Sequence, residues 1–154
     1  MTEISKYFIT QEYGGYSNCK DIDGKGSVLP NCVGLAWGMF ALCHGKETFT
    51  RRPRTQWAKD FYPLLKKTGS GFMCSKMVRE QSLLWYTRDN GKGHVVFCWL
   101  KDNNGIYTCI ESNLSAAQLS STAVRVLRTK DPTTLYKGYQ GCTYALTLSG
   151  GGLK

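Results

Sequence analysis

The first thirty residues scatter Gly14, Gly15, Gly24, Gly26 and Pro30 among polar positions with no sustained apolar period, which predicts an irregular lead-in. The pattern then changes. Behind Asn31, a good cap residue, CVGLAWGMFALCHG is apolar at nearly every position until Gly45, predicting a helix from about Cys32 to His44 that is buried all round. Gly34 and Gly38 lie one turn apart on it, each costing ~1 kcal/mol relative to alanine, so a neighbouring element is expected to pack closely there. After a basic loop with Arg51, Arg52, Pro53 and Arg54, the segment TQWAKDFYPLLKK sets Trp57, Phe61, Leu64 and Leu65 at helical spacing. Thr55 is the expected cap of this second, amphipathic helix, and Pro63 its kink or end. Beyond Gly69, Ser70 and Gly71 the runs SLLWYT, HVVFCWLK, IYTCIE, AVRVLRT and TYALTL read as strands, with DNNG joining the second and third as a hairpin. Helices followed by antiparallel strands is an α+β order, not an alternating α/β one.

Composition narrows this picture. A chain of 154 residues is expected to form one domain around one core, with residues 1–12 as lead-in and the glycine-rich residues 149–154 as a flexible tail. No stretch approaches the ~20 apolar residues of a membrane span, and MTEISKYFITQEYGG lacks the basic-then-apolar order of a secretory signal. Twenty Lys and Arg against eleven Asp and Glu give a net charge of +9, which favours an anionic partner: nucleic acid, a phospholipid surface or a teichoic-acid-bearing wall. Charge alone does not choose among them. Seven cysteines without a CxxC pair read as reduced, mostly buried thiols.

With only His44 and His94 in the chain, a Cys/His hydrolase has few pairings to draw on. A nucleophilic cysteine needs a stabilised thiolate, and the first turn of a helix supplies one through its free N–H groups and dipole. Cys32 sits at that end of the predicted helix and Cys43 at the unfavourable one, while Cys98 and Cys109 fall in strands. Cys32 and His44 are separated by twelve residues of helix, about 18 Å. That leaves Cys32 with His94. An orienting partner for the imidazole is expected on the neighbouring strand. An even-numbered loop across 102–105 sets His94, Glu111 and Asn113 on one face, and an odd loop separates them.

These residues resemble the cysteine, histidine-dependent amidohydrolase/peptidase (CHAP) family, in particular bacteriophage endolysins. GGYSNCKDIDGKGSVLPNCVGLAWGMF is similar to the family's nucleophile region, GHVVF and the ESN that follows to its second half, and GYQGCTYAL to its closing strand. The resemblance spans roughly Tyr13 to Leu146. It departs where Met39 stands in place of a common Arg and in the loop TRDNGKG before His94. It implies a papain-like α+β fold, with helices packed on an antiparallel sheet, and Cys32 as nucleophile, His94 as base, Glu111 as orienting acid and Asn113 as a fourth member. The implied activity is cleavage of amide bonds in bacterial peptidoglycan, as N-acetylmuramoyl-L-alanine amidase or as stem or cross-bridge endopeptidase, with no cofactor required for the chemistry.

Some members of the family hold calcium just before the nucleophile, and Asp21 and Asp23 are the residues here that would serve. An EF-hand loop counted from Asp21 has Gly26 at its sixth position but Cys32 where the twelfth-position Glu belongs, so a plain Asp/Gly turn competes with that reading. Cys19 is expected as a loop thiol. The basic residues Arg51, Arg52, Arg54, Lys59, Lys66 and Lys67 read by default as a solvated face, and in the sharper reading as a surface that concentrates the enzyme on anionic cell-wall polymers. The expected partners are peptidoglycan and those polymers, with no specific nucleic acid and no membrane span, acting as a monomer and without a separate wall-binding domain. The corresponding location is the host bacterial cytoplasm until a holin releases the enzyme to the wall. The rival readings are a papain-like or NlpC-type cysteine peptidase on another substrate, and a non-catalytic basic module that binds nucleic acid through stacked aromatics.

Overall fold

The computed structural model of the protein describes residues 32–55, 57–67, 69–88, 91–111 and 125–145. The apolar run behind Asn31 forms helix α1 (Cys32–His44), with eleven of its thirteen residues buried. Gly45, at φ 102°, closes it by donating its N–H to the Ala41 carbonyl at 2.8 Å. Helices α2 (Lys46–Thr50) and α3 (Ala58–Leu65) follow. The rest is strand: β1 (Met73–Ser75), β2 (Ser82–Tyr86), β3 (His94–Lys101), β4 (Tyr107–Glu111), β5 (Arg125–Thr129) and β6 (Tyr139–Tyr144), with a 3-10 turn (Pro132–Thr134) before β6. The six strands form one antiparallel sheet in the order β1-β6-β2-β3-β4-β5. The fold is α+β, as the element order predicts.

Helices α1 and α3 cover one face of the sheet, α1 over β3 and its neighbours and α3 over β2, β6 and β3. Trp37 is the hub of this layer, its ring centroid 5.4 Å from Phe40, 5.5 Å from Phe72 and 5.8 Å from Phe61, which in turn stacks on Trp85 at 5.3 Å. Each such fully buried ring contributes about 1.5–3 kcal/mol of transfer free energy. The opposite face is also buried, around Leu84, Tyr86, Val96, Cys98, Cys109 and Cys142. Coverage on both sides explains why SLLWY and HVVFC are apolar without alternation. The six cysteines in the described region are all free thiols, five of them buried, as expected.

The structure departs from the sequence expectations in several places. Trp57, not Thr55, stands at the cap of α3, with no side-chain cap bond, because the Lys59 N–H is satisfied instead by the Lys92 carbonyl at 3.0 Å. Of the two outcomes expected at Pro63, a kink or an end, the helix does not end there: Pro63 lies inside α3. The last strand begins at Tyr139, four residues before the run TYALTL. Arg52 does not join the solvated basic face: it is buried, its guanidinium 4.0 Å over the Phe49 ring and donating to the Phe49 carbonyl at 2.6 Å. Arg51, Arg54, Lys59, Lys66 and Lys67 are exposed. Asn31, Cys19, Asp21, Asp23, Asn113 and both expected tails lie outside the described residues.

Candidate active site

The β3–β4 hairpin sets the geometry. Lys101 pairs with Tyr107, leaving five residues, 102–106, in the loop. An odd loop alone would put His94 and Glu111 on opposite faces. A bulge at Trp99 adds one residue to β3, and beyond it Cys98 pairs with Cys109 and Phe97 with Ile110. Continued one step, this register sets Glu111 opposite Val96, hence diagonal to His94 on the same face. Asp102 holds the turn by accepting the N–H groups of Asn104 at 2.8 Å and Ile106 at 3.0 Å, and Gly105, at φ 78°, supplies the positive backbone angle.

His94 Nε2 lies 2.9 Å from Glu111 Oε1, and both residues are 1% exposed. Because the carboxylate accepts, Nε2 carries the proton and Nδ1 is left for the other neighbour. That neighbour is Cys32. His94 is the first residue of β3 and Cys32 the first of α1, and their side chains are hydrogen-bonded. Burial by itself lowers the imidazole pKa, but hydrogen bonds to Cys32 and Glu111, with the negative charge of each, outweigh it and raise His94 to about 9. Cys32 keeps 8% of its surface and lies at the positive end of the α1 dipole, whose first turn carries no acidic residue.

Burial pushes Cys43 up to about 12 and also raises Cys74 and Cys142, while Cys98 is raised by its hydrogen bond with Cys109 and by burial. These are packing residues. His44, at the far end of α1, donates Nε2–H to the Gln81 carbonyl at 2.6 Å, and burial lowers its pKa.

No family profile matches the chain, and no curated protein matches it. Among solved structures, the crystal structure of Ly7917 is similar, with a TM-score of 0.50 and 14% identity over 75% of this chain and 53% of that one. The chain therefore spans about half the length of that protein, and the likeness is one of fold.

Sequence reasoning missed Tyr136. Its hydroxyl donates to both Glu111 oxygens at 2.6 Å, and its ring meets the His94 ring edge-on at 4.9 Å. The 3-10 turn carries it back to the sheet: Asp131 caps the turn through the Thr133 N–H at 3.1 Å, and the Tyr86 hydroxyl donates to the Pro132 carbonyl. The Asp-Pro pair is a legible start signal for that turn. Nothing local says that its tyrosine reaches a carboxylate on β4. Tyr136→Phe keeps the ring and removes the donor to a buried charge, so unfolding free energy is expected to fall by roughly 1.5–3 kcal/mol. Chemical denaturation measures this, and an unchanged midpoint would mean that the hydroxyl does not hold Glu111.

Among the described residues, no group of three or more His, Cys, Asp or Glu side chains is arranged to hold a metal ion, and no helix is long and apolar enough to cross a membrane.

Proposed function

We propose that the protein is a peptidoglycan hydrolase of the CHAP type, as in phage endolysins, with a papain-like arrangement and Cys32, His94 and Glu111 as its reacting and orienting groups. The observation that carries this reading is the imidazole held by a buried carboxylate on Nε2 while Cys32 at a helix start favours its protonated form. Asn113, two residues past Glu111, is proposed as the fourth member.

In this mechanism the Cys32 proton passes to His94 Nδ1, leaving a thiolate and an imidazolium stabilised by Glu111. The sulfur attacks the amide carbonyl carbon, and a backbone N–H beside Cys32 receives the developing oxyanion. Collapse breaks the C–N bond as His94 gives its proton to the leaving amine. Water, deprotonated by His94, then attacks the thioester and restores the thiol. Tyr136 takes no part in proton transfer; it positions Glu111. No metal or organic cofactor enters the chemistry, and calcium at Asp21 and Asp23 is proposed only as a structural ligand. The exposed basic side chains supply attraction to anionic wall polymers, which makes wall binding salt-sensitive. Release from the host cytoplasm to the wall is the proposed setting.

The test is substrate class. Purified bacterial walls incubated with the protein are expected to release amino groups without release of reducing sugar, while casein stays intact. Casein cleavage with intact walls would favour a papain-like protease on another substrate. Oligonucleotide binding with neither hydrolysis would point to the nucleic-acid module.

A further inference from the structure

We propose that the cleft between α3 and the adjoining ends of β2 and β6 is a subsite for a carboxylate on an extended peptide substrate. The inference rests on the reading of Cys32 and His94 as the reacting pair and adds to it what the substrate carries and where.

The cleft is an open depression of about 430 Å³ walled by Tyr62 of α3, Lys66 just past its end, Lys76 beyond β1, Thr87 beyond β2, Gly138 just before β6 and Tyr139 at its start. Its two ammonium groups are held over its two aromatic walls. Lys66 Nζ lies 5.6 Å from the Tyr62 ring centroid, and Lys76 Nζ lies 5.9 Å from that of Tyr139 while donating to the Tyr139 carbonyl at 3.3 Å. Among the described residues neither lysine has a carboxylate partner; the ion pairs there are His94 with Glu111 and Arg128 with Asp102. Two cations share one cavity without a counter-charge from the described part of the chain. The floor is rigid: Gly138, at φ 74°, accepts the Thr87 N–H at 2.8 Å, and a Cβ there would lie 1.7 Å from Thr87 Oγ1.

Its position relates it to the substrate rather than to a free polymer. Tyr86 pairs with His94 on one side and with Tyr139 on the other. The cavity thus sits at the same end of the sheet as His94, two strand spacings away, about 10 Å. Helix α3 spans that distance. Near its start the Lys59 N–H meets the Lys92 carbonyl, two residues before His94, and its last turn forms the cavity wall. An extended peptide covers about 10 Å in three residues. A carboxylate that far from the scissile amide reaches the depression that Lys66 and Lys76 line.

The experiment compares two soluble stem peptides that differ only in whether their carboxylates are free or amidated, with the full chain as wild type and as Lys66→Gln/Lys76→Gln. Wild type is expected to show at least about a tenfold higher kcat/KM on the free-carboxylate peptide, through KM, and the double variant is expected to lose that preference. Equal KM values for the two proteins on the free peptide, with turnover intact, overturn the subsite alone. An equal loss on both peptides overturns it as well, since a structural defect does not read a carboxylate. Inhibition by poly(glycerol phosphate) with no preference between the peptides would assign the cleft to a polymer phosphate instead. No hydrolysis of either peptide by wild type, under conditions where it also leaves walls intact, overturns the reading of the site itself.

Discussion

Cys32→Ala is expected to lower the proposed wall hydrolysis by at least about 10³-fold, because no other group in the described region replaces the proposed nucleophile. Cys43, Cys74, Cys98 and Cys142 are all shifted toward the neutral thiol. Cys32 is also the member of the proposed triad with surface left to meet a substrate, 8% against 1% for His94 and Glu111. Cys32 is the first residue of α1 and the substitution removes one sulfur, so the circular dichroism spectrum is expected to stay native. A second readout is independent of activity. The hydrogen bond and negative charge of Cys32 help raise His94 to about 9, so the imidazole resonance of the variant is expected to titrate at lower pH. Wall clearing that persists in Cys32→Ala overturns the mechanism.

Glu111→Gln is the second large effect. It preserves shape but removes the charge that stabilises the imidazolium, and kcat/KM is expected to fall by about 10²-fold or more. Its pH behaviour is distinctive. His94 is raised above the ordinary 6.5 to about 9, so the folded state favours the protonated ring. The stability this contributes is fully present below about pH 6.5 and is lost as pH rises through about 9; it is on the order of a few kcal/mol. Wild-type denaturation is expected to show that loss, and Glu111→Gln to show much less of it. The alkaline limb of kcat/KM near pH 9, where the acid for the leaving amine disappears, is expected to move to lower pH in the variant. Identical pH profiles for the two proteins would mean that Glu111 does not set the charge of His94.

The candidate site was legible to different depths at its different residues. Helix α1 could be read to the residue, since a long apolar run between a cap and Gly45 leaves little choice of ends. The cysteine followed from that start, and the histidine from there being only one other within reach. Their partner was less legible. The expectation that Glu111 shares a face with His94 required an even loop, yet the loop has five residues, and the bulge at Trp99 restores the register. Composition does not announce a bulge, because the extra residue is accommodated by the neighbouring strands. Arg52 shows the same limit: in a run of basic residues nothing distinguishes the one that folds back over Phe49.

Local sequence therefore determined what each segment becomes, because helix and strand periods, caps and turn residues act over a few positions. It also determined the order of the elements and hence the α+β class. Tertiary structure alone decided which atoms meet. The Lys92 carbonyl replaces a side-chain cap on α3, Tyr136 crosses from the turn before β6 to hold Glu111, and Lys66 and Lys76 come to share one cleft. Each of these joins residues distant in the chain through the register of the sheet, which depends on pairing and burial along its whole width and is encoded in no short stretch of residues.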